Sequence, residues 1–494
     1  MNINHYGIRR GKMKTFQDLQ NVMSEDGKKA FILDAINEYK ATDVFHWAVE
    51  GDLYSRQLNT TIMRYQKLLY TMSGKTVPDN FTANHKCASN FFSRFVTQEN
   101  QYLLGNGVTF AEDSTKERLG GSDFDTQLQK AGKAALISGV SYGFFNLDHI
   151  DVFKATEFVP LWDEETGALM AGIRFWQIAS DKPLRATLYE LDGYTDYIKK
   201  KNSKVETLRP KRSYVEIVKT SQVDGTEIYD SENYPGFPIV PLWGNPDHQS
   251  ELVGLKGEID AYDLIKSGFA NDLDDASMIY WTLENAGGMD DVDLAKFIEH
   301  MKTVKAAVVD GGDGAKAEAH TIEVPYQSRE TYLTRLENDM YNDAMALNVN
   351  QVSAGNVTAT AINAAYEPLN NKTDQFEYCI DEFIQGLLDL IGVEDDPTFK
   401  RSKIVNQTEE TQMILSAAQY LDTETILKHL PFLAPEEIDQ ILEATTKEES
   451  GRFEDGEMGD EGDLEGEDGE NPDGENEEDL EPSGDVNGQS EKTN

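Results

Sequence analysis

Cysteine and long apolar runs are both scarce in this sequence. Its 494 residues include two cysteines, Cys87 and Cys379, which lie far apart along the chain. Two such residues exclude a disulfide framework and a cysteine-based zinc site. No apolar run approaches the roughly 20 residues that span a bilayer. The first residues also lack the apolar core of a secretory signal. We therefore expect a soluble, intracellular-type protein with no membrane segment.

Positive charge is also in short supply. The chain carries 45 lysines and arginines against 89 aspartates and glutamates, a formal net charge of −44. Residues 447–494 hold 20 acids and three bases, which leaves −27 for the rest of the chain. A body this acidic should not grip nucleic-acid phosphates over a broad surface, because such binding depends on lysine and arginine. It could still let DNA pass without sticking.

Hydrophobic spacing divides the chain into helical and extended regions. Residues 28–104 are mostly helical in pattern, with apolar side chains at steps of three and four, and residues 136–240 alternate as strands do. Turns ending in Gly167 and around Asp224-Gly225 predict two strand pairs in the second region, 157–162 with 168–178 and 214–222 with 226–229. A helix of about 30 residues is predicted over 247–276. A second helix is predicted over 328–347 and a third after it, with a short helix over 291–301 and a hairpin over 305–324 between the first two. The acidic tail lacks apolar residues and is predicted to be disordered.

Three short motifs resemble catalytic or ligand-binding motifs, but the surrounding sequence argues against each of them. "GVSYG" around Ser141 matches a nucleophile elbow, but a strand pattern follows where a helix is required. "SGKT" ends like a phosphate-binding loop, but Leu69 stands where the motif needs glycine. "DGGDG" at 310–314 lacks the ligands and closing glutamate of a calcium loop. We predict no enzyme, metal site or cofactor. Two alternatives stay open: a serine hydrolase using Ser141, and an acidic DNA-mimic or chaperone-like module acting through its tail.

The order of segments and four stretches of sequence point to a family. The stretches are "YLLGNGV" after a helix, "SYG" entering a strand, "FPIVPLWGNPDHQSELVGLKGEIDAYDLIKSGFANDLDD" and "GNVTATAI" before "LNNK". Together they resemble the portal proteins of long-tailed phages of Gram-positive hosts, over roughly residues 30–445. Ala359 departs from the glycine usual in the family at that place.

The resemblance implies an α+β portal fold that forms rings. Its stem and crown would be mainly helical, with a mixed α/β wing and a small α/β clip. The implied parts are an N-terminal arm 1–30, wing 31–245, stem helix 246–277, clip 278–325, second stem helix 326–346, tunnel loop 347–358, long kinked helix 359–396, crown 397–446 and disordered tail 447–494.

The resemblance also implies where DNA would pass. The tunnel loop residues at the channel would be Asn348, Val349, Asn350, Gln351, Val352, Ser353, Ala354, Gly355 and Asn356. Pro368 would bend the following helix, because proline removes an intrahelical hydrogen bond and clashes with the preceding turn. The first stem helix would supply the candidate acidic lining, Glu251, Glu258, Asp260, Asp263, Asp272, Asp274 and Asp275.

A member of this family would act mechanically. About twelve copies would form a ring at one capsid vertex. Double-stranded DNA would pass through non-specifically during packaging and ejection. Implied partners are the large terminase, the major capsid and scaffold proteins, and the neck and head-completion proteins, with no membrane. The protein would reside in the virion, and in the host cytoplasm during assembly.

Overall fold

The computed structural model divides the chain into two compact units, Met1–Val405 and Asn406–Asn494. The residues it describes are 12–70, 74–80, 82–220, 227–276, 280–284, 292, 295–296, 299, 316–320, 326–349, 359–402, 414–430, 438, 441–442 and 444.

Helices of the first unit lie before and after a central run of strands. They are α1 Phe16–Gln20, α2 Glu25–Lys40, α3 Asp43–Ser55, α4 Thr60–Arg64, α5 Phe91–Leu104, α6 Asp113–Arg118, α7 Ser122–Ser138, α8 Leu252–Ala276, α9 Tyr326–Asp343 and α10 Ala359–Ile391. Local sequence explains α2 well. The Ser24 hydroxyl caps it by accepting from Gly27 N. Ile32, Ile36 and Tyr39 then fall on one buried face, as their spacing predicts.

Strands of the first unit are mostly antiparallel neighbours in sequence. They are β1 Leu68–Tyr70, β2 Thr76–Pro78, β3 Val108–Thr109, β4 Val140–Asn146, β5 His149–Lys154, β6 Phe158–Trp162, β7 Leu169–Trp176, β8 Leu184–Glu190, β9 Gly193–Lys199, β10 Val205–Arg212, β11 Val215–Thr220, β12 Glu227–Glu232, β13 Ile239–Trp243, β14 Tyr280–Glu284, β15 Lys316–His320 and β16 Thr398–Phe399. A five-stranded sheet has the order β10-β9-β8-β7-β6, and a three-stranded sheet has the order β13-β4-β5. The predicted strand pairs β6–β7 and β11–β12 are confirmed.

The two larger sheets separate three hydrophobic cores. One core joins α5, α7, α8 and α10 to one side of the three-stranded sheet, through Phe145 and Ile150. A second core lies between the two sheets, around Tyr142, Phe153 and Phe158. The third lies between the five-stranded sheet and α2. The unit is therefore layered, and α10 and α2 occupy opposite sides of the two sheets.

Helix α7 was not predicted, although its signal is in the sequence. Phe124, Leu128, Ala131 and Ala135 recur at helical spacing and are all buried. Gly139 ends the helix with a left-handed backbone (φ 89°), as glycine commonly does at this position. The extended region therefore begins at residue 140 and not at 136.

Helix α8 begins five residues later than predicted. The segment before it is an irregular loop in which His248 has a positive φ of 55°. The Asn245 side chain stabilises this loop by accepting from Gln249 N and donating to Gln249 O. The Ser250 hydroxyl then accepts from Leu252 N, where the helix starts. These side-chain hydrogen bonds compete successfully with helix formation.

The segment between α8 and α9 is described only in part. Strand β15 pairs antiparallel with β14, which lies more than thirty residues upstream. The sequence predicted instead a local hairpin containing β15. The upstream half of that hairpin and most of the predicted short helix lie outside the described residues.

The second unit is described over a short stretch. A single 3₁₀ turn, Ala418–Tyr420, precedes helix α11, Thr423–His429. The Asp422 carboxylate caps α11 by accepting from Thr425 N at 3.0 Å. Nearly half of the predicted crown and all of the acidic tail lie outside the described residues.

Candidate channel segments

The structure describes the two ends of the predicted tunnel loop, which we call its roots: the incoming root after α9 and the outgoing root in the first turns of α10. Asn348 and Val349 follow α9, and the chain is described again from Ala359, where α10 begins. The candidate residues Asn350, Gln351, Val352, Ser353, Ala354, Gly355 and Asn356 lie outside the described residues. The described residues show how the two ends of the loop are anchored.

The incoming root is held by one side chain of α5. Gln98 Oε1 accepts from Leu347 N at 3.0 Å, and Gln98 Nε2 donates to Leu347 O at 3.1 Å. The amide thus satisfies both backbone groups of Leu347, as a neighbouring strand would. Met345, two residues earlier, has a positive φ of 50° and marks the turn out of α9. The position of Leu347 is therefore fixed by hydrogen bonds to a helix distant in sequence.

The outgoing root is held by Tyr102, which lies one turn after Gln98 on α5. The ring of Tyr102 stacks on Tyr366 with centroids 5.5 Å apart, and its hydroxyl donates to Asn370 Oδ1 at 2.5 Å. Tyr102, Leu347, Tyr366 and Leu369 form one small buried cluster. Residues 98 and 102 are four apart and so share a face of α5. Both roots of the loop are consequently fastened to one face of one helix.

Pro368 lies inside α10, which continues through it from Ala359 to Ile391. The proline is exposed, so its ring does not disturb the buried stripe of the helix. Proline has no backbone N–H, so one intrahelical hydrogen bond of α10 is missing at this position. The bend expected there remains a prediction.

A buried ionic triad ties α10 to α5 and to the approach of α8. Lys372 Nζ lies 2.8 Å from Glu99 Oε2 and 2.8 Å from Glu251 Oε2. Burial raises the pKa of Glu99 to about 7, against the effect of Lys372, and Glu251 raises it further. Burial alone would lower the pKa of Lys372, but the two carboxylates raise it above its usual value. One ammonium therefore serves two carboxylates in a nearly dry site.

Besides Glu251, two more of the candidate lining residues are used inside the chain. Asp263 is fully buried; its carboxylate accepts from Asn59 Nδ2 at 2.5 Å and from Ser89 N at 2.8 Å. Asp263 therefore does not belong to a channel lining. Asp260 accepts from Tyr54 Oη at 2.5 Å and from Lys256 Nζ at 2.7 Å. The sequence missed both roles, because helical spacing does not reveal which neighbour covers a polar face.

Of the remaining described candidates, Asp274 is exposed, whereas Glu258 and Asp272 are half-buried. Asp272 contacts Arg329, and Asp274 Oδ2 lies 2.5 Å from His85 Nε2. Burial raises the pKa of Glu258, and nearby Asp343 raises it further. The side chain of Asp275 lies outside the described residues. The contacts of Glu251 with Lys372 and of Asp272 with Arg329 neutralise part of the negative charge of this segment.

Ser141 has the surroundings of a structural residue. It lies inside strand β4 with no exposed surface, and its hydroxyl donates to Ala131 O at 2.9 Å. A buried hydroxyl engaged with a backbone carbonyl has no access to a substrate, so the hydrolase reading loses its nucleophile. Across the described ranges no group of three or more histidine, cysteine or acidic residues could hold a metal ion. Within the same part of the chain, no helix is both long and apolar enough to cross a membrane.

Comparison with known proteins gives a consistent result. The sequence profile of the family described as "Phage portal protein, SPP1 Gp6-like" matches residues 51–451. A portal protein of Bacillus phage SPP1 is 25% identical over 439 residues, covering 82% of this chain and 85% of that protein. A portal protein of Clostridium phage phiCD119 is 30% identical over 215 residues, covering 42% of this chain and 47% of that protein.

One solved structure with a similar chain is the virion of a native gene transfer agent particle. The identity is 11% and the TM-score 0.40, over 68% of this chain and 88% of that one. That superposition is too weak to support an argument about the fold.

Proposed function

The chain belongs to the phage portal protein family of the SPP1 Gp6-like type, and we propose that it closes into a ring of about twelve copies around a channel for double-stranded DNA. Such a ring would sit at one capsid vertex, dock the large terminase during packaging, and then seat the neck and head-completion proteins. Capsid and scaffold proteins would surround it. The ring would assemble in the host cytoplasm and remain in the virion.

The observation that carries this proposal is the anchoring of the loop roots within the family match. The match spans the loop and the helices on both sides of it. A loop that follows moving DNA needs a rigid base, and Gln98 and Tyr102 supply one from a single helix. The implied wing, stem, clip and crown follow from the resemblance and are part of the proposal.

The proposed channel wall is less acidic than composition alone implies. Asp263 is buried, and Glu251 and Asp260 are held by lysines. The acids that are neither fully buried nor held by a lysine are Glu258, Asp272 and Asp274, and these are the ones we propose for the wall. Their negative charge would repel phosphates and limit sticking, whereas a basic wall would bind DNA with a steep salt dependence.

A matched pair of glutamine variants tests the role of the loop roots. Gln98→Ala removes both hydrogen bonds to Leu347, whereas Gln101→Ala, on the same helix, loses one exposed contact to Gln129 Oε1 at 3.3 Å. Proheads carrying each variant would be supplied with terminase, ATP and DNA. We expect both variants to form rings, with slower or incomplete packaging for Gln98→Ala alone. Equal packaging by the two variants would contradict the proposed role of the anchored loop.

A further inference from the structure

One hairpin of this acidic chain is strongly basic. Residues 199–212 contain seven lysines and arginines against one glutamate, a formal net charge of +6 in a chain of −44. Lys200, Lys201, Lys204 and Arg209 are exposed. None of these four makes an ion pair with any side chain that the structure describes. We call residues 199–212 the basic hairpin.

The hairpin offers charge and not backbone pairing. Its strand β10 is the edge of the five-stranded sheet. Two register irregularities interrupt its pairing with β9, and Pro210 removes a backbone donor. Bulges, proline and lysines are the usual means by which an edge strand resists the addition of another strand. A partner would therefore meet the hairpin through its side chains.

A surface of opposite sign lies at the end of α10. Residues 381–396 carry six acids and no base, a formal net charge of −6. Asp389, Glu394 and Asp396 line a cavity of about 410 Å³. Burial raises the pKa of Asp381, and Asp396 raises it further, which places both in one negative field. We call residues 381–396 the acidic rim.

The two surfaces belong to opposite sides of the layered unit. The acidic rim ends the helix that packs on the three-stranded sheet, away from the five-stranded sheet. The basic hairpin includes the edge strand of the five-stranded sheet, whose core partner is α2. No ion pair joins the two surfaces within the described residues of one chain. Two different complementary patches on one molecule are what a head-to-tail ring contact requires.

We propose that the basic hairpin of one copy docks on the acidic rim of the next copy in the ring. This contact rests on the proposed ring and adds the surfaces that join neighbouring subunits. Lys211 and Arg212 are already paired with acids of their own chain, so the hairpin offers a net charge of +4 (five bases and one acid) to the −6 of the rim. This opposite charge favours a second copy as the occupant. Duplex DNA is less suited, because the rest of each chain is acidic and would repel it.

Charge reversal in matched sets tests the contact. One variant carries Lys200→Glu, Lys201→Glu and Lys204→Glu, and a second carries Asp389→Lys, Glu394→Lys and Asp396→Lys. A third combines all six changes. The control reverses three lysines outside the hairpin, Lys12→Glu, Lys130→Glu and Lys133→Glu. Ring formation is measured by mass photometry across protein concentration and salt, with circular dichroism to confirm folding.

We expect each three-residue variant to assemble less well than the parent chain, and the six-residue variant to regain assembly. Each three-residue variant should raise the concentration for half-assembly at least ~10-fold at low salt, with a smaller effect at 1 M salt because the Debye length is then about 3 Å. The six-residue variant should recover most of the loss, and the control should assemble like the parent chain.

Four other results would overturn the proposal. Normal ring formation by the hairpin variant would exclude the proposed contact between copies and leave the proposed function intact. Failure of the six-residue variant to recover would show that the two surfaces do not meet. If the hairpin variant assembles normally but loses binding to a duplex oligonucleotide, the hairpin is a DNA surface. A parent chain that stays monomeric at every concentration and salt would instead overturn the proposed ring, and this contact with it.

Discussion

Replacing Lys372 with methionine should destabilise the protein more than any surface charge change. Lys372 Nζ lies 2.8 Å from each of two carboxylates, and the Glu99 side chain is only 3% exposed. Methionine keeps most of the volume but leaves two buried acids without a cation. Removing one partner of a buried ion pair costs about 3–5 kcal/mol. We expect a loss of that size in the free energy of unfolding, measured by urea titration.

The assay needs a fixed protein concentration, because assembly shifts apparent stability. Lys182→Met is the matched control, since Lys182 pairs with Asp181 at 3.1 Å with both side chains well exposed. It should change the free energy by less than about 1 kcal/mol. Adding Glu99→Gln and Glu251→Gln to the Lys372→Met variant should recover part of the loss. A loss below about 1 kcal/mol for Lys372→Met would refute the reasoning.

Three further predictions follow from single buried groups. Burial raises the pKa of Glu99 from its ordinary 4.5 to about 7, so the folded state holds that proton more tightly. The contribution of Glu99 to the free energy of unfolding is complete below pH 4.5 and is lost as the pH rises through about 7. Urea titrations from pH 4 to 8 should therefore show a free energy of unfolding that falls with pH, and the fall should be smaller in the Glu99→Gln variant. Asp263→Ala should cost about 2–4 kcal/mol by the same assay, because Asn59 and the Ser89 backbone amide lose their acceptor; a cost like that of exposed Asp274→Ala would contradict this. Gly139→Ala should cost about 1–3 kcal/mol, because φ is 89° and a Cβ would lie 2.9 Å from the carbonyl carbon of Gln249; unchanged thermal unfolding would exclude it.

Elements with strong periodicity were the most predictable from sequence. Helix α5 and the antiparallel pair β6–β7 lie where apolar spacing and turn residues indicated. The family, too, could be read from short stretches because they occur in a fixed order. Each of these features depends on residues that are close together in sequence or on the order of short motifs, so it can be predicted from one sequence.

What could not be predicted depends on contacts between distant segments. The pairing of β14 with β15 crosses a long insertion. The use of Asp263 by Asn59 and Ser89 depends on how α8 packs against the chain before α5. Gln98 gave no signal, because a glutamine on a helix surface is ordinary until Leu347 is placed beside it. Helix α7 is different, since its periodic Phe124 and Leu128 could have revealed it.

The central claim is that this chain forms a portal ring. Native mass measurement of the purified protein at moderate salt tests it most directly. We predict a closed species near twelve times the chain mass of 55.4 kDa, seen as a ring with a central channel in negative stain. A species that stays at 55.4 kDa, with or without terminase and scaffold proteins, would contradict it.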